Sequence, residues 1–433
     1  MPKKKTALTI EERLQQALVP AEEQPYEVPE NWVWVRLLST FVNKTDSKKK
    51  IQQKFYLNTG DYAIVDQGQN LIGGYTNDAS LQYDGELPVV VFGDHTRCVK
   101  YVDFNFVQGA DGVKILLPYK SFDSKFFYYA IMNLNIPNMG YRRHFPLFDK
   151  LTLPLPPLSE QQRIVERIEE LFAKLDEAKE RLQEAADSFA VRKAAILHKA
   201  FTGELTKQWR RENGVSDESW EEKKLGEVGV LERGRSKHRP RNDERLFGGI
   251  YPFIQTGDVA NADMFIEKHS QTLSDFGMQQ SKLFAKNTIC ITIAANIGKV
   301  AILSYDSCFP DSVVGLITDG KNNYKYVYYY LSTQQKELES KAPATAQKNI
   351  NLKVLNDLDI PLPTLPEQHE IVRLIDDLLA RERKAQQATE QALASIDLMK
   401  KSILARAFRG ELGTNKASEA SALELLRQVL AEN

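Results

Sequence analysis

The segment LPLPPLSEQQRIVERIEELF at residues 153–172 is repeated as IPLPTLPEQHEIVRLIDDLL at residues 360–379. The same offset of 207 residues aligns AILHKAFTGEL at 195–205 with SILARAFRGEL at 402–412. No gap is needed across the 53 aligned positions, of which 22 are identical. Internal repetition on this scale predicts a chain built from two similar halves.

The repeated segments have the pattern of long helices, each preceded by a Pro-rich lead-in. Apolar residues recur at alternating spacings of four and three, which is typical of a coiled-coil seam. The seam positions are Ile164, Ile168, Leu171, Leu175, Leu182 and Phe189 in the first copy and Ile371, Ile375, Leu378 and Ile396 in the second, where Glu382 and Thr389 interrupt it. A single helix cannot bury its own apolar stripe, so we expect the two copies to bury each other.

Helix boundaries can be predicted from capping residues. The predicted capping boxes and glycine stops are Ser159 with Gln162, Thr364 with Glu367, Gly203 and Gly410. The chain termini carry two shorter amphipathic runs, with capping boxes predicted at Thr9 with Glu12 and at Ser421 with Glu424. Pseudo-two-fold symmetry brings the end of the second half near the start of the first, so we expect these terminal arms to lie together.

The segments between the repeats contain short β-rich runs bounded by Gly, Asp and Asn. These runs are 89–92, 113–117, 289–293 and 313–317. The spacing Trp32-x4-Leu37 recurs as Trp220-x4-Leu225 and marks the start of each half.

The predicted fold class is therefore α/β (α+β), with two globular domains joined by two long antiparallel coiled-coil helices in a pseudo-two-fold internal repeat. The expected segments are an N-terminal helical arm (1–25), a first globular domain (26–152), a first helix (153–205), a linker (206–219), a second globular domain (220–359), a second helix (360–412) and a C-terminal helical tail (413–433).

Composition excludes several classes of protein. The sequence has no apolar run of eighteen residues and no apolar signal segment, which argues against a membrane span or secretion. Its three cysteines form no CxxC pair, which favours a reducing cytoplasm over a disulfide framework or zinc site. The formal net charge is −1, so any binding to nucleic acid must use local basic patches.

Motifs for catalysis are largely missing from the sequence: we find no Walker A loop, no GxGxxG after a strand, no HExxH and no methyltransferase motif. One short pattern, Asp311 followed by Asp319 and Lys321, imitates a metal-dependent nuclease. The intervening residues have the pattern of a single strand followed by a turn, and we favour that interpretation. A stand-alone nuclease is kept as an alternative function.

Two basic loops have the composition that neutralises DNA phosphates. Their candidate residues are Lys44, Lys48, Lys49 and Lys50, and Arg233, Arg235, Lys237, His238, Arg239 and Arg241. A solvated surface loop is the alternative for each of them.

Two further loops precede the Pro-rich lead-ins at the repeat offset and carry Arg, Gln and Asn, which read guanine and adenine edges. Their candidate residues are Tyr141, Arg142, Arg143 and His144, and Gln347, Lys348 and Asn349. These loops could instead pack on the helix starts. A strand end at Asp94, His95, Thr96 and Arg97 is interpreted as either a turn or a DNA contact.

The motifs PLPPLSEQQRIV, PLPTLPEQHEIV, AFTGEL and AFRGEL closely resemble those of the DNA specificity subunits of type I restriction-modification enzymes. The resemblance covers residues 26–412. FGDHT at 92–96, with Gly74, Tyr75 and Thr76 before it, looks like one family of target-recognition domains. Thr256, Asp258, Asn296 and Lys299 look like features of another.

The resemblance implies a non-catalytic subunit that binds double-stranded DNA in a bacterial or archaeal cytoplasm. Each globular domain would read one half of a bipartite, asymmetric site. The helices would set the spacer and dock two modification subunits, which bind S-adenosylmethionine and methylate adenine N6. Restriction subunits would use ATP and Mg²⁺, and no cofactor or metal is expected on this chain. A structural adaptor with protein-binding domains is a rival function that the basic loops disfavour.

Overall fold

The computed structural model describes residues 9–120, 122–294, 296–342 and 349–432. Its helices in chain order are α1 (Ile10–Ala17), α2 (Ser124–Asn133), α3 (Leu158–Phe201), α4 (Lys207–Asn213), α5 (Leu225–Val228), α6 (Thr256–Asn261), α7 (Asp275–Gln279), α8 (Tyr324–Thr333), α9 (Gln335–Ser340), α10 (Leu352–Asn356), α11 (Leu365–Ala407) and α12 (Ala422–Glu432).

The strands are mostly short. In chain order they are β1 (Val33–Arg36), β2 (Phe41–Asn43), β3 (Lys50–Ile51), β4 (Tyr62–Val65), β5 (Gly74–Thr76), β6 (Val89–Gly93), β7 (Val99–Val102), β8 (Phe106–Gly109), β9 (Val113–Pro118), β10 (Thr152–Leu155), β11 (Glu221–Lys224), β12 (Gly229–Arg233), β13 (Phe247–Phe253), β14 (Phe265–Ile266), β15 (Gln271–Leu273), β16 (Leu283–Phe284), β17 (Ile289–Thr292), β18 (Val300–Leu303), β19 (Ser307–Cys308), β20 (Val313–Thr318) and β21 (Asp359–Leu362).

The chain divides into two units whose boundaries follow the repeat. The first unit contains the residues up to Gln183 together with those from Gln391 onward, and the second unit is Glu184–Glu390. The cut points at 183 and 390 differ by the repeat offset of 207. Each unit therefore contains one globular domain, the start of one long helix and the end of the other.

Both units contain a main sheet with the same strand order. The order is β2-β9-β6-β7 in the first unit and β12-β20-β17-β18, extended by β14, in the second. The predicted β runs fall in β6, β9, β17 and β20 and are confirmed. The central strands are fully buried and rich in Val and Ile, as expected for strands covered on both faces. The second sheets differ, with orders β3-β8-β4-β5 and β15-β13-β19-β16.

A two-stranded antiparallel sheet connects the start of each half to the lead-in of its long helix. Strand β1 pairs with β10, and β11 pairs with β21. Trp32 and Trp220 stand immediately before β1 and β11, so the recurring Trp-x4-Leu spacing marks equivalent structural positions.

The repeated Glu-Gln dipeptide at the helix starts anchors the globular domains. Gln161 is fully buried and accepts a hydrogen bond from the backbone N–H of Asp123, before α2, at 2.9 Å. Gln368 likewise accepts a hydrogen bond from the backbone N–H of Asn323, before α8, at 2.9 Å. Both glutamines also donate to a carbonyl of their own Pro-rich lead-in. Each globular domain is thereby fixed to its helix by the same side chain.

The long helices run antiparallel where they pack within each unit. Within the first unit, Arg163 bonds Glu419, beyond the end of α11, and Asp176 pairs with Lys400 at 2.6 Å. Within the second, Arg192 pairs with Glu382 at 2.9 Å and Thr206, just after α3, bonds Glu367, so in each unit residue numbers rise along one helix as they fall along the other. The predicted seam residues of both copies are buried or half-buried. Thr389, expected to interrupt the seam, is only 8% exposed and bonds back to the carbonyl of Ala385.

The predicted capping boxes of the long helices are wrong, whereas their glycine stops are confirmed. Helix α3 begins at Leu158, so Ser159 lies inside its first turn. Glu367 turns away from Thr364 and into the protein interior. Gly203 and Gly410 have φ values of +76° and +73°, the left-handed conformation that glycine adopts most readily at helix ends.

Glu367 accepts hydrogen bonds from Thr206 Oγ1 at 2.7 Å and from Arg210 Nη1 at 2.6 Å. Its counterpart Glu160 accepts from Trp32 Nε1 at 2.7 Å and from Asn415 Nδ2 at 2.9 Å. Both carboxylates are fully buried. Glu367 and Arg210 form a buried ion pair, and removing one partner of such a pair costs about 3–5 kcal/mol, whereas the partners of Glu160 are uncharged hydrogen-bond donors. The segment after α3 thus docks on the start of α11, and the segment after α11 docks on the start of α3.

The terminal arms lie together in the first unit, as expected. Thr9 and Glu12 form the predicted capping box of α1. Arg13 donates to the carbonyl of Leu430 in α12 at 3.2 Å, and Leu14 and Leu426 belong to the core of this unit. The segment expected to be a linker, 206–219, contains α4.

Candidate nucleic-acid interface

The loops that the sequence predicts to contact DNA lie at one end of each main sheet. The turn between β6 and β7 contains Arg97 with φ +62°, and the turn between β17 and β18 contains Asn296 with φ +52°. Residues other than glycine seldom adopt this conformation, which costs about 1–3 kcal/mol. Its recurrence at the same turn of the same sheet marks this end as a candidate functional site.

The segment before each helix lead-in lies against that turn. The backbone N–H of His144 donates to the Asp94 carbonyl at 2.8 Å, and that of Ile350 donates to the Ile293 carbonyl at 3.0 Å. Asn349 forms a β-bridge with Ala294. Of the other predicted residues in this second loop, Gln347 and Lys348 lie outside the described residues.

The basic loops occupy equivalent places as well. The loop from Lys44 to Lys50 follows β2, and the loop from Gly234 to Arg241 follows β12. Because β2 and β12 are corresponding strands, both loops begin at the same edge of their main sheets. In each unit, therefore, the basic loop, the hairpin turn and the segment before the helix lie at the same end of the main sheet.

The first site presents an exposed aromatic and basic surface. Tyr141 is 85% exposed and stacks on His95 with ring centroids 4.7 Å apart and planes 10° from parallel. Arg142 and Arg143 are exposed beside it. Lys50 bonds Asp111 at 2.6 Å and is the main cause that holds the pKa of that carboxyl below its usual value.

Smaller electrostatic contributions from Arg143 and His95 also lower the pKa of Asp111. The loops at residues 50, 95, 111 and 143 therefore share one surface. The other lysines of this loop are Lys44 and Lys48, which are exposed, and Lys49, which pairs with Asp84 at 2.6 Å.

A buried ion pair supports this surface from below. Lys100 is 5% exposed and donates to the carbonyl of Asp66 at 2.7 Å and to its carboxylate at 3.4 Å. Burial lowers the pKa of Lys100, and Asp66 opposes that shift. Gln67, next along the chain, accepts from the His95 N–H at 3.2 Å and from Thr96 Oγ1 at 2.6 Å.

Three predicted DNA contacts are corrected by burial. Asp94 and His144 are 2% and 0% exposed: the Asp94 carboxylate accepts from the Phe145 N–H, and both ring nitrogens of His144 meet backbone groups. Thr76, at 6% exposure, accepts from the Asp78 N–H within β5. These side chains have almost no surface to offer DNA, and they fix loops instead.

Other predicted residues of the first unit are less accessible than the arginine loop. Gly74 and Tyr75 are half-buried in the edge strand β5. The guanidinium of Arg97 donates to the carbonyl of Ile136 at 3.0 Å, so this side chain packs on its own domain.

The basic loop of the second unit divides into anchored and exposed cations. His238 bonds Asp243 at 2.8 Å, and Arg241 bonds Asp311 at 2.8 Å. Arg233 donates to the carbonyl of Asp311. The remaining cations of this loop have no acidic partner among the described residues and are exposed: Arg235 and Lys237, whose backbone N–H groups bond Phe309 and Gln280, and Arg239, which bonds carbonyls of its own loop.

The remaining predicted residues of the second unit lie at loop and helix starts. Thr256 and Asp258 lie in the first turn of α6, where the Asp258 carboxylate accepts from the Gln255 N–H at 2.7 Å. Asn296 is exposed in the hairpin turn, and Lys299 is half-buried.

The nuclease alternative is inconsistent with the fold. Asp311 and Asp319 lie at opposite ends of β20, a six-residue strand about 20 Å long, and Asp311 is paired with Arg241. Carboxylates so placed cannot share a metal ion. Within the part of the chain that the structure describes, no group of three or more His, Cys, Asp or Glu side chains could hold a metal.

Sequence reasoning missed one polar pair in the second unit. Gln255 Nε2 donates to Gln271 Oε1 at 3.1 Å, at the mouth of a groove lined by Arg241 and Asn242. The two glutamines are sixteen residues apart and belong to no motif, so only the fold reveals that they meet.

Among the described residues, no helix has the length and apolar character needed to cross a membrane.

Comparison with known proteins gives concordant matches. The family profile of the type I restriction modification DNA specificity domain matches residues 29–186 and 217–392. The EcoBI specificity subunit of Escherichia coli is 29% identical over 355 residues, covering 74% of each chain. The EcoDI specificity subunit of the same species is 27% identical over 312 residues, covering 65% of this chain and 69% of its own.

Two solved structures share the fold. The HsdS subunit from Thermoanaerobacter tengcongensis superposes with a TM-score of 0.62 at 18% identity, covering 90% of this chain and 99% of its own. A chain from a study of complex assembly and conformational transition of the type I R-M system superposes with a TM-score of 0.63 at 20% identity. The match covers 89% of this chain and 100% of the other.

Proposed function

This chain belongs to the family of type I restriction-modification DNA specificity subunits, non-catalytic proteins that recognise DNA sequence, and we propose that its two globular domains read the two halves of one bipartite, asymmetric site. The observation that carries the proposal is the duplicated cluster of basic loop, hairpin turn and pre-helical segment at the same end of each main sheet. The clusters differ in side chains, as two half-sites of different sequence require.

Direct readout is assigned mainly to the exposed side chains of these clusters, because arginine and amide groups distinguish base edges. Phosphate contact is assigned to the exposed cations of the basic loops, which position the protein without reading sequence. Buried residues such as His144 and Asp94 act by holding the loops.

The long helices are proposed to dock two modification subunits. Val191 on α3 is 70% exposed, and Leu398 on α11 is 66% exposed. The two residues are equivalent at the repeat offset of 207. Exposed apolar side chains at corresponding places suit a partner that binds twice in the same manner.

Methylation chemistry would then reside on those partners. The modification subunits would bind S-adenosylmethionine and methylate adenine N6, and the restriction subunits would use ATP and Mg²⁺. The helices would also set the spacer between the half-sites, because each is continuous from one unit into the other. The proposed setting is a bacterial or archaeal cytoplasm.

Mapping of N6-methyladenine in cells with and without this gene tests the proposal directly. We expect a methylated, two-part sequence that disappears with the gene and returns when the gene is supplied. Methylation maps that do not differ, in cells that express active modification subunits, would contradict it.

A further inference from the structure

A groove of about 670 Å³ opens in the second unit beside the basic loop. One wall is formed by Arg241, which ends that loop and pairs with Asp311, and by the adjoining Asn242, and another by Phe247 of β13. Gln255 and Gln271 also line the groove. Gln255 is half-buried and Gln271 is exposed. The groove thus places the end of the basic loop beside amide groups that can discriminate hydrogen-bonding partners.

The two glutamines are held in place by the fold. The Asp258 carboxylate accepts from the Gln255 N–H at 2.7 Å and from Ser270 Oγ at 3.3 Å. Gln271 follows Ser270 and is paired in the sheet with Phe253. Asp258 therefore bonds the backbone of Gln255 and the side chain that precedes Gln271, which makes it a positioning residue.

The hydrogen bond between the amides leaves recognition capacity. A glutamine side chain has two N–H donors and a carbonyl oxygen with two acceptor positions. The bond from Gln255 to Gln271 uses one donor and one acceptor position. Free donors and acceptors therefore remain on two adjacent amides. If the O and N atoms of both amides are exchanged, the number of free donors and acceptors is unchanged.

The basic loop beside the groove favours duplex DNA as the occupant, although Glu244 also lines the groove. Arg235 and Lys237 belong to the same basic loop, and both are exposed. Cations of this kind attract the phosphate backbone, which would bring a base edge towards the amides.

We propose that Gln255 and Gln271 together read the major-groove edge of one adenine in the second half-site. Adenine presents an N7 acceptor beside an N6 donor, and a paired donor and acceptor complements that edge. The inference rests on the proposed function and adds the specificity-determining residues and the base.

The test is selection of binding sequences from a pool of randomised duplexes by the assembled complex of this chain with its modification subunits. The wild-type complex should select a two-part sequence with adenine at one position of the second half. Gln271→Glu replaces a donor with an acceptor, and cytosine presents an N4 donor. We expect adenine preference at that position to fall roughly tenfold or more, with cytosine gaining.

Gln255→Ala should abolish discrimination at the same position and leave every other position unchanged. Gln279→Glu is the matched control, because Gln279 is exposed in the same unit outside the groove. Continued selection of the first half-site shows that each variant is folded and assembled. If the wild type selects a two-part sequence that neither groove variant alters, this inference is overturned and the proposed function stands. If the wild type selects no sequence, both fail.

Discussion

The recognition loops of the first domain rest on side chains that water barely reaches. His144 and Asp94 are buried with their polar atoms bonded to backbone, and Lys100 is buried with Asp66. Burial of such groups is tolerated only because each finds a partner. Arg142 and Arg143 are consequently presented on a backbone fixed before DNA arrives, so little conformational entropy is lost on binding.

Replacing Arg142 or Arg143 with Ala should therefore relax one half-site only. Removing a bidentate hydrogen-bonded pair with guanine is expected to cost about 1–3 kcal/mol of discrimination. Selection from randomised duplexes measures the change, with Arg211→Ala as a control that removes an exposed arginine from the other unit. Equal relaxation of both half-sites would show that the assignment is wrong.

The exposed cations of the second basic loop should act on all sequences alike. Replacing Arg235, Lys237 and Arg239 with Ala is expected to weaken binding to specific and random duplexes together. The slope of log affinity against log salt should flatten by about 0.9 for each DNA phosphate that the variant no longer neutralises. The matched control carries the same charge change at exposed lysines elsewhere in the unit: Lys268, Lys286 and Lys353. An unchanged slope would remove the loop from the interface.

Residue type alone could not separate readers from supports. Asp94 and His144 have the polar side chains of a DNA contact, yet the turn and the pre-helical segment bury them against each other. The same limit applies to Gln255 and Gln271, whose meeting depends on strand pairing across the second sheet. Exposure is a property of the fold, and a single sequence contains no direct signal for it.

At the scale of elements, the long helices were predictable because their apolar spacing repeats over many turns. The equivalence of the two main sheets was not predictable, because the segments between the repeats lack a comparable alignment. The capping boxes predicted for the two long helices failed for a related reason: Glu367 matches the motif, but its carboxylate is buried against Arg210 instead of bonding locally. Local rules fail where tertiary contacts offer stronger partners.

Charge placed on the exposed apolar position of either helix should prevent docking of a modification subunit. Val191→Asp or Leu398→Asp is each expected to remove one of the two copies, and the double variant both, because a charge buried in an interface is costly. Native mass spectrometry of the assembled complex counts the copies. Lys193→Asp, about 200° around α3 from Val191, is the control. Full stoichiometry in the double variant would exclude these positions from the interface.

Lengthening both helices should lengthen the spacer. Four residues inserted after Gln183 and after Glu390 add about 6 Å to each helix and nearly preserve the seam as a stutter. Base pairs rise about 3.4 Å, so the spacer should grow by one or two pairs while both half-site sequences stay the same. Methylation mapping reads the result, and an insertion after the exposed Gly214 is the control. Retention of the original spacer would reduce the helices to a scaffold.

At the scale of the whole molecule, the linker after α3 and the segment after α11 occupy equivalent places in the repeat. The segment after α3 binds Glu367 through Thr206 and Arg210, and the segment after α11 binds Glu160 through Asn415. The linker and the C-terminal tail therefore do the same structural work. The linker then continues into the second globular domain.

A circular permutant should therefore assemble and support methylation. Residue 433 is joined to residue 1, and the chain is reopened between Asp217 and Glu218, which are both exposed. This break keeps Arg210 and its partner Asp217 on one unbroken stretch of chain. Arg210 can therefore still bond Glu367. The junction is short, because α1 and α12 already pack together. The eight residues that precede Thr9 can span about 26 Å when extended, which is available to connect the two ends.

Reopening between Trp209 and Arg210 provides the contrasting variant, since it separates Thr206 from Arg210 and divides the segment that covers Glu367. Both permutants are compared by complex assembly and by methylation mapping in cells. We expect the break after Asp217 to keep the recognised sequence, because both recognition domains and both helix starts are intact, and the break inside α4 to weaken assembly. A soluble first permutant that fails to assemble would show that the covalent order of the halves matters, against the equivalence of linker and tail.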